Sequence, residues 1–179
     1  MTCQSFAAVF FFIFFTSNAF SQAVRVKDIN PGPASSQPGN MRFGDNGILY
    51  FFANDGVLGN ELWKTDGTSV GTILLKDIDT GLNNSTPSNF TNFGNKLLFQ
   101  ARTASNGNEL WITDGSTSGT AIVKDIEPGT GSSSPLSQKA LLNNKIYFSA
   151  STSTTGSELW ETDGTTLGTK LMLDINTGV

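Results

Sequence analysis

The chain has 179 residues, 37% of them hydrophobic, with a formal net charge of −4 and a pI of about 4.7. That is one domain's length, and its 11 basic residues are scattered singly. No basic face gathers phosphates, which excludes nucleic acid and an anionic membrane surface as partners. Histidine is absent and the single cysteine, Cys3, falls in the N-terminal apolar stretch. The remainder therefore has no soft-metal site, no thiol or imidazole chemistry and no disulfide, and packing alone must hold it together.

Residues 1–21 read as a signal peptide. The run from Phe6 to Phe15 is apolar but shorter than the roughly 20 residues that a spanning helix needs. Ala19-Phe20-Ser21 then places small residues at the −3 and −1 positions of a cleavage point before Gln22, although residues 1–5 carry no Lys or Arg. An uncleaved anchor or a buried N-terminal strand are the other readings. Export to the cell surface or medium is the expectation, with no membrane span in the mature chain.

Val24-Arg25-Val26-Lys27-Asp28-Ile29 follows, an alternating β-branched run that predicts a strand. Related runs end in Asp77-Ile78, Asp125-Ile126 and Asp174-Ile175. After each of the first three comes a polar connector with Gly four residues beyond the Asp (Gly32, Gly81, Gly129). Ser follows at eight (Ser36, Ser85, Ser133) and Pro at ten (Pro38, Pro87, Pro135). Fixed Gly and Pro offsets predict loops of defined shape. Then come a short segment, a Gly/Asn turn and an aromatic strand such as Leu97-Leu98-Phe99-Gln100-Ala101. The third element is Glu61-Leu62-Trp63-Lys64-Thr65-Asp66-Gly67-Thr68, which returns from Glu109 and again from Glu158. Gly59, Gly107 and Gly156 mark a turn two residues before each Glu.

The tryptophans Trp63, Trp111 and Trp160 are 48 and 49 residues apart, a period that signals a repeat architecture. The slip of one residue lies between Pro87 and Phe99. Each period holds four short strands, turns recur every 8–12 residues or so, and no stretch has helical periodicity. The prediction is an all-β domain over 22–179. It comprises three tandem four-stranded antiparallel blades, about 30–78, 79–126 and 127–175, preceded by the surplus strand 24–29. Large residues on both faces of the third strand, Leu62 beside Trp63, fit a blade sandwiched between neighbours. Such blades build β-propellers of four to eight blades, so three imply an open or partial array, a piece of a longer one, or a homo-oligomer that completes a ring. A β-trefoil, also three repeats of four strands, is the alternative.

On these residues the chain resembles the Glu-Leu-Trp-x-x-Asp-Gly-Thr (ELWxxDGT) repeat proteins, bacterial secreted or surface proteins with many tandem copies and a propeller-like fold. The resemblance covers residues 24–179. It implies fold and compartment, and little chemistry.

Four features carry potential chemistry. The Asp66-Gly67 hairpin is strong turn chemistry, and the Asp-box of sialidase-type propellers sits in a similar place with a structural role. The tryptophans invite sugar stacking, but a residue used by every repeat and flanked by core Leu reads as packing between blades. Glu61, Glu109 and Glu158 invite paired-carboxylate glycoside hydrolysis, which needs two acids roughly 5–9.5 Å apart. Three equivalent acids on three blades fit that poorly, and binding to backbone N–H groups or to a neighbouring Lys is the simpler role. Finally, Asp28/Asn30, Asp77/Asp79, Asp125/Glu127 and Asp174/Asn176 place oxygens at i and i+2 before a Gly, like the opening of a calcium loop. The third acidic position and terminal Glu are missing, so capping of the turn is the main reading and calcium the other. No other cofactor is implied. Asn83, Asn84 and Asn89 match the N-glycosylation pattern, which matters only in a eukaryotic secretory pathway.

The expected function is a secreted or surface module that binds a protein or glycan partner or serves structurally, without catalysis. A carbohydrate-active enzyme or lectin on a propeller or trefoil scaffold is the alternative. The positions that differ between copies, Lys64/Ile112/Glu161 and Asp55/Asn106/Thr155, form no recognisable catalytic set.

Overall fold

Runs of β-branched and aromatic residues broken by Gly and Asn turns form twelve strands and no helix in the computed structural model, which describes residues 23–175 and 177. The predicted signal peptide, its cleavage point, Cys3, Asn176 and Gly178 lie outside the described residues. The first sheet contains β1 (Gly39–Phe43), β2 (Leu49–Asn54), β3 (Asn60–Thr65) and β4 (Ile73–Lys76). The second contains β5 (Ser88–Phe93), β6 (Lys96–Thr103), β7 (Gly107–Thr113) and β8 (Ala121–Lys124). The third contains β9 (Lys139–Leu142), β10 (Lys145–Thr152), β11 (Gly156–Thr162) and β12 (Lys170–Leu173). Each sheet is antiparallel with its strands in sequence order, and among the described residues no strand pairs outside its own repeat.

Because side chains alternate across a strand, each sheet offers two faces, and the second sheet buries both between its neighbours. Residues Tyr50, Leu62, Leu75 and Ile78 of the first sheet pack on Leu97, Phe99, Ala101 and Trp111 of the second in one core. The same arrangement recurs between Leu98, Leu110, Val123 and Ile126 of the second sheet and Ile146, Phe148, Ala150 and Trp160 of the third. Each sheet thus has a forward face and a rear face, and the tryptophan always lies on the rear one. Packing between neighbours, as expected from large residues on both faces, is seen for the second sheet, and all three tryptophans are buried.

A repeated β-bulge makes this two-sided burial work. Leu62 pairs with Lys76 and Trp63 with Leu74, leaving Leu75 as the extra residue on β4. Leu110 and Trp111 do the same opposite Val123. A bulge bends the strand and re-aims a side chain, and here it delivers Leu75 and Val123 into the forward cores. In β5 a second bulge is absorbed by Asn89 at φ 55, a conformation Asn tolerates better than most residues.

Two expectations need correction. Residues 24–29 lie outside any strand. Val26, Lys27 and Ile29 lie along the rear face of the first sheet, with Ile29 packed on Phe51, Ala53 and Trp63, so the segment meets a sheet face and pairs with no strand. The fourth strands also end sooner than expected, at Lys76, Lys124 and Leu173, because Asp77-Ile78 and its relatives turn into the connector. The one-residue slip has a packing consequence. Phe90 fills the core between the first two sheets, whereas Leu136, at φ 65 in the longer third connector, fills the core between the second and third.

Candidate functional site

The motif glutamates project from β3, β7 and β11 toward the connectors. Glu109 is fully buried and accepts three hydrogen bonds: from the Ile126 N–H (2.8 Å), the Ser133 N–H (2.8 Å) and the Ser133 hydroxyl (2.6 Å). Glu61 repeats this with Ile78 and Ser85 at 2.6–3.0 Å. Burial pushes both carboxyls above the ordinary glutamate value, and the three donors oppose that shift. Glu158 takes the Ile175 N–H at 3.1 Å. Their role is to clip the connector to the strand, as the backbone-binding reading expected.

The Asp-Gly turns are closed networks. Asp66 Oδ1 accepts the Thr68 N–H (2.9 Å) and hydroxyl (2.7 Å), and the Thr68 hydroxyl oxygen accepts the Gly71 N–H at 2.9 Å. Asp114 with Ser116 and Asp163 with Thr165 do the same. These bonds hold the three aspartates below the usual carboxylate range. A methyl group on Gly71, Gly119 or Gly168 would lie 2.0–2.1 Å from the Asp oxygen, so the second glycine of each turn is there for close approach. Sequence reasoning explained only the first glycine; the invariable spacing of five from Asp to Gly was the available signal.

The i and i+2 oxygens of the connectors part company. Asp79 Oδ1 accepts the Ala104 N–H (3.0 Å) and Glu127 Oε2 the Ser153 N–H (2.8 Å), each in the next sheet's hairpin. The Ser153 side chain, and after it this N–H, hold the Glu127 carboxyl below the ordinary value. Asp125 Oδ2 accepts Asn106 Nδ2 (2.9 Å) and the Gly129 N–H (3.3 Å), while Asp77 Oδ2 accepts the Gly81 N–H at 3.4 Å. Asp28 is exposed and paired with Arg25 at 3.1 Å, and Asn30 lies against Gly56. Among the described residues no three acidic side chains gather as metal ligands would. The Oδ1 atoms of Asp77, Asp125 and Asp174 are buried without a hydrogen-bond partner among those residues.

The positions that differ between copies also make local contacts. Lys64 Nζ donates to the Gly115 carbonyl (2.7 Å), across to the next sheet. Buried Glu161 is held by Lys145 (2.8 Å) and Lys170 (3.5 Å), and Lys145 keeps its carboxyl below the ordinary value. Asp55 caps its own hairpin through the Val57 and Leu58 N–H groups. No helix of the described residues is long and apolar enough to cross a membrane.

These features define an all-β repeat protein whose recurring polar residues fasten sheet to connector and sheet to sheet. No protein-family model, curated protein or solved structure matches the chain.

Proposed function

We propose that the chain is a secreted or cell-surface module of the Glu-Leu-Trp-x-x-Asp-Gly-Thr repeat type, with propeller-like blades, that binds a protein or glycan through its loops and does no catalysis. The observation that carries this is the use made of the repeated carboxylates. Glu61 and Glu109 are buried and saturated with backbone and serine donors, and Asp66, Asp114 and Asp163 are tied into turns. An acid/base pair needs carboxyls that reach a substrate: the buried Glu61 and Glu109 do not, and the exposed Asp66, Asp114 and Asp163 each have one oxygen committed to their own turn. The tryptophans support the same reading, since Trp111 and Trp160 are buried between sheets and Trp63 is buried on the rear face of the first, which removes them as sugar-stacking platforms. What stays accessible is the rim of connectors and hairpins, where Val57 and Leu82 are exposed beside Asn83 and Asn84. A glycan array run beside a panel of glycoside substrates tests this. Retention of a glycan or a surface protein without turnover is the expected result; hydrolysis of any glycoside overturns it.

A further inference from the structure

We propose that the forward face of the third sheet docks on the rear face of the first sheet of a second copy, in a head-to-tail assembly where residues 170–175 of one copy displace residues 24–29 of the other.

Among the described residues, nothing packs on the forward face of the third sheet as the next sheet packs on those of the first two. Leu159 is 41% exposed, whereas its equivalents Leu62 and Leu110 are at 0% beneath the following sheet. Ile175 is 72% exposed against 7% for Ile78 and 4% for Ile126. Connector carbonyls press on Gly59 and Gly107, yet nothing among the described residues approaches Gly156. Glu158 completes the pattern. Among the described residues it accepts one hydrogen bond, where Glu61 and Glu109 each accept three and take two of them from a connector serine.

The matching half is present at the other end. The rear face of the first sheet carries Phe51, Ala53 and Trp63, the set that the second and third sheets use as Phe99/Ala101/Trp111 and Phe148/Ala150/Trp160 to seat on a forward face. Met41 occupies the place of Phe90 and is 59% exposed where Phe90 is 8%. Ser36 sits on its sheet like the serines that serve Glu61 and Glu109. Its carbonyl accepts the Asn54 N–H at 2.8 Å, as those of Ser85 and Ser133 accept Arg102 and Ser151 at 2.9 Å. Among the described residues the Ser36 hydroxyl makes no hydrogen bond and is half-exposed. One end holds an acceptor short of donors, and the other a donor short of an acceptor.

Residues 24–29 are the stand-in. Lys27 Nζ donates to the Thr72 carbonyl (2.7 Å) just as Lys124 on β8 donates to Thr169 of the next sheet (2.8 Å). Ile29 packs on the rear face as Ile78 and Ile126 do. The segment thus imitates the last strand of a preceding sheet while supplying little of its area, and a whole sheet covers the face better. Two different surfaces meet, so the contact is heterologous and grows into a ring or a filament.

Sedimentation velocity of the chain across a concentration series tests this. Concentration-dependent association is expected. Leu159→Asp and Met41→Asp, both at exposed positions, each weaken it at least tenfold, while Leu167→Asp on an exposed turn leaves it unchanged. Ile175→Asp repeats the first test at a more exposed position in case Leu159→Asp disturbs the fold. An equimolar mixture of Leu159→Asp and Met41→Asp chains forms a heterodimer, because each keeps the face the other has lost. A chain monomeric at every concentration, or variants that fail to complement, overturns the proposal.

Discussion

Ser133 gives both its backbone N–H (2.8 Å) and its hydroxyl (2.6 Å) to Glu109, and both residues are fully buried although 24 positions separate them. The third donor, the Ile126 N–H, comes from the point where the last strand turns into the connector. One carboxylate therefore fixes both ends of the crossing from the second sheet to the third, and the connector's path decides how far apart the sheets stand.

Removing that acceptor should be costly. Glu109→Ala leaves three buried donors without a partner, at about 1–3 kcal/mol for each group left unsatisfied. Glu109→Gln restores the size but turns an amide NH2 toward an N–H, so it also destabilises, by about 1–3 kcal/mol. Chemical denaturation read by tryptophan fluorescence checks both, and wild-type midpoints would remove the clip role.

The same carboxyls set a pH dependence. Burial raises the Glu61 and Glu109 values above that of an unfolded-chain glutamate, so the folded state holds these protons more tightly. Stability then falls as pH rises from the ordinary glutamate value through the raised one, and levels off above it. Asp66, Asp114 and Asp163 act in the opposite sense. Their folded values are lowered, so what they contribute is present above the ordinary aspartate value and lost as pH falls through the folded one. They are exposed and contribute less. Melting curves across the acidic range should show the decline, and the double variant Glu61→Gln/Glu109→Gln should flatten it.

Trp111 lies at the centre of the first core, its ring 6.4 Å from that of Phe99 with Leu75 and Ile78 of the neighbouring sheet around it. Trp111→Ala opens a cavity between two sheets, for a loss of about 3–5 kcal/mol. An unchanged melting temperature would refute its place in the core.

The turn glycine and its aspartate form a testable pair. Gly119→Ala puts a methyl group against Asp114 Oδ1 and should destabilise, while Asp114→Ala removes the two bonds from Ser116. In the double variant the clash is gone, so the two losses should sum to more than the measured one. A double-mutant cycle on melting free energies would then give a coupling of about 0.5–3 kcal/mol. Strict additivity would mean that Gly119 is present for another reason.

Much of this was legible because the repeat prints it three times. The period, the four strands, the buried tryptophan beside a buried leucine and the Asp-Gly turn all follow from local pattern and spacing. The partner of Glu109 was not, since Ser133 lies 24 residues away and only the recurrence of serine eight positions after each aspartate hinted at a fixed contact. The bulge at Leu75 was hidden too, because an extra residue inside a four-residue strand leaves no break in an apolar run. Residues 24–29 have the composition of a strand, but they lie on a sheet face and pair with no strand. Composition cannot report whether a run meets an edge or a face.

The connector aspartates provide the last expectation. Asp79 and Glu127 reach forward to Ala104 and Ser153, whereas Asp77 and Asp125 turn back to Gly81 and Gly129, so the i and i+2 oxygens serve different partners. A calcium ion takes six to eight oxygens at 2.3–2.6 Å, and drawing such a shell together here would break the sheet-to-sheet bonds of Asp79 and Glu127. Melting curves in excess calcium and in EDTA should therefore coincide, and Glu127→Gln should lower both equally by weakening the bond to Ser153. A rise in melting temperature on adding calcium, lost in Asp77→Asn and Asp125→Asn, would instead assign the unpartnered Oδ1 atoms of those residues to a cation.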